Sequence, residues 1–427
     1  LLILQCCGTA DDLGDLGGNR ALADTGASLR ENYMPRLLDC LAAGDARGAQ
    51  ALTEQIFSAP AAPFPLFRIC LLEQLYPLLH AYYAATADPA ARQMLMLNME
   101  NVKKNFGFGC MRLPMDGENV NIPETIRMVD AFLDAGFNYF DTAHGYIQGK
   151  SETALRECLT SRYPRDRYIL TDKLTAHFFK TEADIRPFFD SQLEACGVDY
   201  FDFYLMHAQG AGNYPHFKEC HAYETAFALK AEGKIRHVGI SFHDSAAFLE
   251  QILTEYPDIE VVQIQFNYAD YDDPAVQSRL CYEVCRKFNK PIIVMEPVKG
   301  GNLVNLPVEA KAVLKGLRGG SAASYALRFA AGFPGMMMVL SGMSDMAQME
   351  DNISSMRDFK PLNEAEHMAI KKAQAIFKGK HLIPCTSCRY CTDGCPKHIS
   401  IPDLFYTINT KQVYSDWNAD YHYNVVY

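Results

Sequence analysis

Residues 168–207 read YILTDKLTAHFFKTEADIRPFFDSQLEACGVDYFDFYLMH. The stretch opens on a short apolar run, Tyr168–Leu170, and passes through apolar residues at helical spacing over Glu182–Cys196. It then returns to a second apolar run at Phe201–Leu205. Two parallel strands need a long connection, and a helix is its usual form, so this alternation marks a βαβ unit. The same pattern continues on both sides. Further strand-like runs lie at Phe106–Cys110, Phe137–Phe140, His237–Ile240, Val261–Ile264, Ile292–Met295 and Met336–Leu340. Amphipathic segments such as Glu124–Ala135, Ala246–Tyr256 and Pro274–Phe288 separate them. Eight such units closing on themselves give a (β/α)8 TIM barrel of about 250 residues. A doubly wound open sheet would want a glycine-rich phosphate turn after an early strand, and no G-x-G-x-x-G stands in such a place.

The chain has 427 residues, 49% hydrophobic and 21% charged, which is enough to bury a large core and excludes wholesale disorder. Its 40 basic and 51 acidic residues give a net charge of −11, which argues against nucleic acid or an anionic membrane as the main partner. No apolar run reaches the roughly 18 residues needed to span a bilayer. The opening LLILQCC lacks the basic start and the apolar length of a signal peptide. Many of the 14 Cys are scattered through apolar surroundings, as at Cys158, Cys196 and Cys281, which points to a reducing, cytoplasmic compartment.

Three regions separate by pattern. Residues 1–98 read as a helical extension, with apolar residues at helical spacing over Pro35–Ala43, Ala46–Ser58 and Phe67–Ala84, and carry no catalytic constellation. Residues 99–360 are the barrel. Residues 361–427 begin with a helix over Asn363–Lys378 and continue into CTSCRYCTDGCP, Cys385 to Pro396. This C-x2-C-x2-C-x3-C-P spacing is that of a ferredoxin-type [4Fe–4S] site, so a C-terminal ferredoxin-like iron–sulfur domain is expected, with Cys385, Cys388, Cys391 and Cys395 as ligands. A structural zinc is the alternative, although it usually comes as two separated C-x2-C knuckles. A remote Cys could also replace Cys395 as the fourth ligand. The cluster is either structural, redox-sensing, or served by an external ferredoxin-like electron-transfer protein.

Active residues of a barrel gather where strands end. Asp141 closes the second run, Tyr146 follows on its loop, Lys173 ends the third run and His207 the fourth. Burying Lys173 or Asp141 alone is costly, so the two are expected to pair. An ammonium beside a phenol would pull the Tyr146 pKa below its ordinary value of about 10 and make it a proton donor to a carbonyl oxygen. A neutral His207 could polarise the same oxygen.

At this point, from about Phe106 to Met356, the chain resembles the aldo–keto reductase family. FDTAHGYIQGKSE, YILTDK and LMH are similar to the family's Asp, Tyr, Lys and His motifs, in order. The resemblance implies NAD(P)H-dependent reduction of an aldehyde or ketone, or the reverse alcohol oxidation. Tyr146 would donate the proton, Lys173 and Asp141 would tune it, and His207 would position the carbonyl. It also implies cofactor contacts at Ser241 and Gln263 for the carboxamide, Met295 beneath the nicotinamide in place of an aromatic ring, and Asn352 at the adenine. The family's Asn after the Ser is Phe242 here. A subset of the family carries a similar C-terminal cluster domain. LSGMSDMAQMEDN, after the eighth run, lacks the basic residues with which the family grips a 2′-phosphate, so NADH should serve at least as well as NADPH. The alternative function is a cofactor-binding regulatory or electron-transfer subunit with little carbonyl turnover.

Overall fold

The computed structural model describes residues 105–427, apart from 318, 380–382, 384, 386–389, 394, 398, 415–417 and 422–427. The expected N-terminal helices and Cys388 therefore lie outside the described residues.

Eight parallel strands close into a barrel. They are β1 (Phe106–Gly109), β2 (Tyr139–Asp141), β3 (Ile169–Leu174), β4 (Phe201–Gln209), β5 (Ile235–Phe242), β6 (Val261–Gln265), β7 (Ile292–Met295) and β8 (Met336–Gly342). β1 pairs with both β2 and β8, which seals the ring and excludes the open-sheet alternative. The crossovers are α1 (Ile122–Asp134), α2 (Lys150–Leu155), α3 (Glu182–Cys196), α4 (Ala222–Ala231), α5 (Ala246–Glu255), α6 (Ser278–Lys287), α7 (Ala322–Ala331) and α8 (Met346–Arg357). A short antiparallel hairpin, Met115–Asp116 with Asn119–Val120, precedes α1. Two longer helices, α9 (Glu364–Lys378) and α10 (Ile401–Tyr414), and two single-turn helices, Tyr390–Asp393 and Asn418–Tyr421, follow the barrel. Among the described residues no helix is long and apolar enough to cross a membrane.

Local chemistry explains the boundaries. The Asn121 side chain accepts from the Glu124 N–H to open α1, and Thr181 with Asp184 forms a capping box that opens α3. Gly197 at φ 66° ends α3 in the left-handed region that glycine enters without cost. One expectation is corrected: the helix read over Pro274–Phe288 starts only at Ser278. Asp273 Oδ1 accepts from the Ala275 N–H in a turn, and Gln277 at φ 55° reverses the chain before the helix begins.

The core lies between the strands and the helical ring. Phe106, Phe108, Phe132, Phe137 and Phe140 interlock there, all essentially buried. Each such ring contributes roughly 1.5–3 kcal/mol. Side chains alternate along a strand, so Tyr139, Thr171, Phe203 and His237 face the lumen, where Tyr139 meets Phe203 at 5.6 Å and Phe203 meets His237 at 5.0 Å. Two residues further along each strand, the same face carries Asp141, Lys173 and Leu205. At Gly239 of β5 a methyl group would stand 2.6 Å from the Val261 carbonyl oxygen and 2.7 Å from Leu205, so only glycine lets β4, β5 and β6 approach here.

Candidate active site

The inward faces of β2 and β3 bring a carboxylate and an ammonium together. Lys173 Nζ donates to Asp141 Oδ1 at 2.6 Å and to the Thr142 carbonyl at 2.7 Å. Lys173 is fully buried and Asp141 is 3% exposed, so the pair is desolvated and depends on its mutual geometry. Burial alone would lower the Lys173 pKa, but the Asp141 charge and Tyr146 carry the net shift upward, and the ammonium stays charged.

Tyr146 sits on the loop after β2, where its hydroxyl accepts from Lys173 Nζ at 3.1 Å. Ile147 at φ 52°, Gln148 at φ 56° and Gly149 at φ 84° follow it in the left-handed region. For a β-branched residue such as Ile147 this is a strained backbone, worth of order 1–3 kcal/mol, and it holds the tyrosine ring toward Lys173. The expected fall in the Tyr146 pKa does not occur. Burial raises it, and that effect outweighs the lowering by Lys173. The phenol is a proton holder first.

His207 ends the inward face of β4. Its Nδ1 lies 2.6 Å from Thr175 Oγ1, and its ring meets Tyr146 edge-on at 6.0 Å. Burial, followed by Lys173, keeps its pKa well below the ordinary 6.5, so the imidazole is neutral. Directly after it the β4–β5 register shifts, and Ala208 takes φ 51°. Ser241 Oγ holds this bulge by accepting from the Ala208 N–H at 2.7 Å.

The residues tied to a cofactor by resemblance are placed as follows. Gln263 Nε2 donates to the second oxygen of Asp141 at 3.1 Å. Met295, half-buried, ends β7 at the same rim. Asn352 of α8 donates to Ser341 Oγ at 3.0 Å. Gly342 at the end of β8 and Gly300 in the β7 loop leave bare backbone at this rim, where side chains would fill the space. These residues and this cradle fit a nicotinamide dinucleotide.

A supporting layer behind the site escaped sequence reasoning. Gln192 Nε2 donates to Asp172 Oδ1, Glu152 Oε1 and the Lys173 carbonyl, while Tyr204 donates to Gln192 Oε1. Burial, then Glu152, raises the Asp172 pKa well above the ordinary carboxylate range. His144 closes the layer on Glu152 at 2.8 Å. Only the adjacency of these polar residues to Tyr146 and Lys173 could have signalled it.

The cysteine run is described in part. Cys385 and Cys395 are half-buried and Cys391 is exposed. Among the described residues no three metal-ligating side chains gather into one group.

A lysine–aspartate pair thus lies under a tyrosine, beside a neutral histidine, at the C-terminal mouth of a parallel barrel. The chain belongs to the aldo/keto reductase family, whose model matches residues 105–375. Among curated relatives it is 31% identical over 147 residues to an aldo-keto reductase of Mycolicibacterium smegmatis, covering 34% of this chain and 49% of the relative. It is 27% identical over 197 residues to the NADH-specific methylglyoxal reductase of Escherichia coli, covering 41% and 57%. The chain thus spans about half the length of these relatives. Among solved structures, the holo form of an aldo-keto reductase from Bacillus halodurans is 25% identical with a TM-score of 0.52, over 63% of this chain and 91% of that one. An aldo-keto reductase from Klebsiella pneumoniae in complex with NADPH has the same TM-score of 0.52 at 20% identity, over 63% and 90%, which is a likeness of fold.

Proposed function

We propose that this protein reduces an aldehyde or ketone with NAD(P)H, or runs the reverse alcohol oxidation, with Tyr146 as the proton donor. The observation that carries this reading is the Tyr146 hydroxyl 3.1 Å from a fully buried ammonium that is itself neutralised by Asp141. As Tyr146 gives up its proton, negative charge grows on the phenol oxygen, where Lys173 already stands to stabilise it. With Thr175 Oγ1 donating to His207 Nδ1, the neutral ring would carry its proton on Nε2 and could donate to the carbonyl oxygen. Ser241, Gln263, Met295 and Asn352 would hold the cofactor, and a nicotinamide, when bound, supplies the hydride. NADH should serve at least as well as NADPH, because residues 340–352 offer no Lys or Arg to a 2′-phosphate. The name of the Escherichia coli relative is in line with this preference.

The test is Tyr146→Phe. Turnover of an aldehyde panel should fall by about 10²-fold or more, with the NADH dissociation constant unchanged. Equal turnover in the variant would sink the proton-donor role and favour a cofactor-binding subunit.

The four thiols Cys385, Cys388, Cys391 and Cys395 match one [4Fe–4S] cluster in spacing and donor type. Iron quantification and anaerobic titration with NADH, read at the broad band near ~400 nm, test this. Bleaching would link cluster and nicotinamide in one electron path, and an unmoved band would make the cluster structural or served by an external protein. Protein purified anaerobically without iron would remove the cluster from the account.

A further inference from the structure

Arg112 follows β1 in the turn Cys110–Arg112, and its backbone carbonyl accepts from Ser344 Oγ at 2.9 Å. From there its side chain crosses the end of β8. A methyl group on Gly342 would lie 3.3 Å from its Cδ, and one on Gly300 of the β7 loop would lie 3.3 Å from its Nη2. The guanidinium thus spans β1, β8 and the β7 loop at the C-terminal rim. It is exposed, and no ion pair or hydrogen bond engages it among the described residues. The neighbouring cation, Lys299, is differently placed. It is 6% exposed and donates to Asp270 at 2.6 Å and Tyr406 at 2.5 Å, so its charge is already satisfied. In a chain of net charge −11, a free arginine laid over two bare glycines at an active-site rim presents a fork of donors to an anion.

We propose that Arg112 grips the diphosphate bridge of the nicotinamide dinucleotide. This rests on the cofactor reading above and extends it. The residues assigned to the nicotinamide end, Ser241, Gln263 and Met295, lie on β5, β6 and β7, and Asn352, assigned to the adenine end, lies on α8. Arg112 stands between these groups, over the β7 loop and the end of β8, where the bridge of an extended dinucleotide must pass. The basic charge missing from residues 340–352 is supplied from the other side of the barrel closure, at a position equally useful to NADH and NADPH.

Equilibrium binding of NADH, NADPH, ADP-ribose and adenosine to the wild-type chain, Arg112→Ala and Arg112→Lys tests this, with thermal melting as a check on folding. Arg112→Ala should weaken NADH, NADPH and ADP-ribose alike by about tenfold or more and leave adenosine unchanged. Arg112→Lys should recover part of the loss, because an ammonium keeps the charge and lacks the fork. Unchanged NADH and ADP-ribose affinities in a folded Arg112→Ala protein would overturn the inference while leaving the cofactor reading intact. A loss confined to NADPH would also overturn it, moving the arginine to a 2′-phosphate. A wild-type chain that binds none of NADH, NADPH and ADP-ribose would overturn the cofactor reading and this inference with it.

Discussion

Tyr146 keeps its proton under opposing influences: burial raises its pKa, Lys173 lowers it, and burial prevails. His207 is displaced in the other direction and stays neutral well below pH 6.5. Carbonyl reduction needs the phenol protonated and the imidazole neutral, so kcat/KM should be flat between about pH 6.5 and pH 10, the two ordinary values. The alkaline limb should lie beyond the ordinary phenol value, and a pH–rate profile with a limb inside that window would contradict this assignment. Asp172 supplies a stability counterpart. Its pKa is raised in the fold, so the native state retains a proton that the unfolded chain releases above about pH 3.8, and this costs stability as the pH rises. Asp172→Asn mimics the protonated carboxyl, and its melting temperature should gain on wild type between about pH 4 and pH 7. A constant difference across that range would show that Asp172 is ionised in the fold. The Asp141, Lys173 and His207 positions were legible because strand ends of a barrel are where polar residues converge. The direction of the Tyr146 shift was not, since it depends on how completely the loop and the lumen exclude water.

At the scale of elements, β4 and β5 aim the site. β4 runs past His207 to Gln209, with a bulge at Ala208 that Ser241 of β5 secures. Gly239, two residues before Ser241, admits the close packing of β4 and β6 around β5. Gly239→Ala should therefore cost about 1–3 kcal/mol, read as a lowered denaturation midpoint at constant m-value. A neutral outcome would mean that the Val261 backbone can move away without loss. The apolar runs announced β4 and β5, but not how far they continue. β4 continues through His207, Ala208 at φ 51° and Gln209, and β5 through Ser241 and Phe242, because inter-strand pairing extends them past the apolar runs.

Across the whole molecule, α10 closes onto the barrel through Tyr406, which meets the buried Lys299–Asp270 pair, while Tyr414 offers its ring to the same ammonium at 6.0 Å. Gln374 of α9 also donates to the Tyr268 carbonyl in the β6 loop. The segment that follows the cysteine run is thus fastened to the β6 and β7 loops at the C-terminal rim of the barrel. Removing one member of a buried ion pair leaves the other uncompensated, so Lys299→Met should cost about 3–5 kcal/mol. Lys299→Met with Asp270→Leu should recover most of it, and denaturant unfolding of both variants checks the difference. A double variant as unstable as the single one would assign the loss to packing rather than charge.

The sequence by itself determined the eight strands, the order of the barrel units and the residues at the strand ends. Those features follow from periodicities of two and 3.6, which are local and survive in one dimension. It also carried the cysteine spacing on which the cluster proposal rests. Beyond the Asp141–Lys173 pair, which the strand ends already suggested, tertiary structure decided which charges meet. It paired Lys299 with Asp270 and Tyr406, set Gln192 between Glu152 and Asp172, and left Arg112 open over Gly300 and Gly342, because closing a barrel brings its first and last strands together, and no local pattern records that approach.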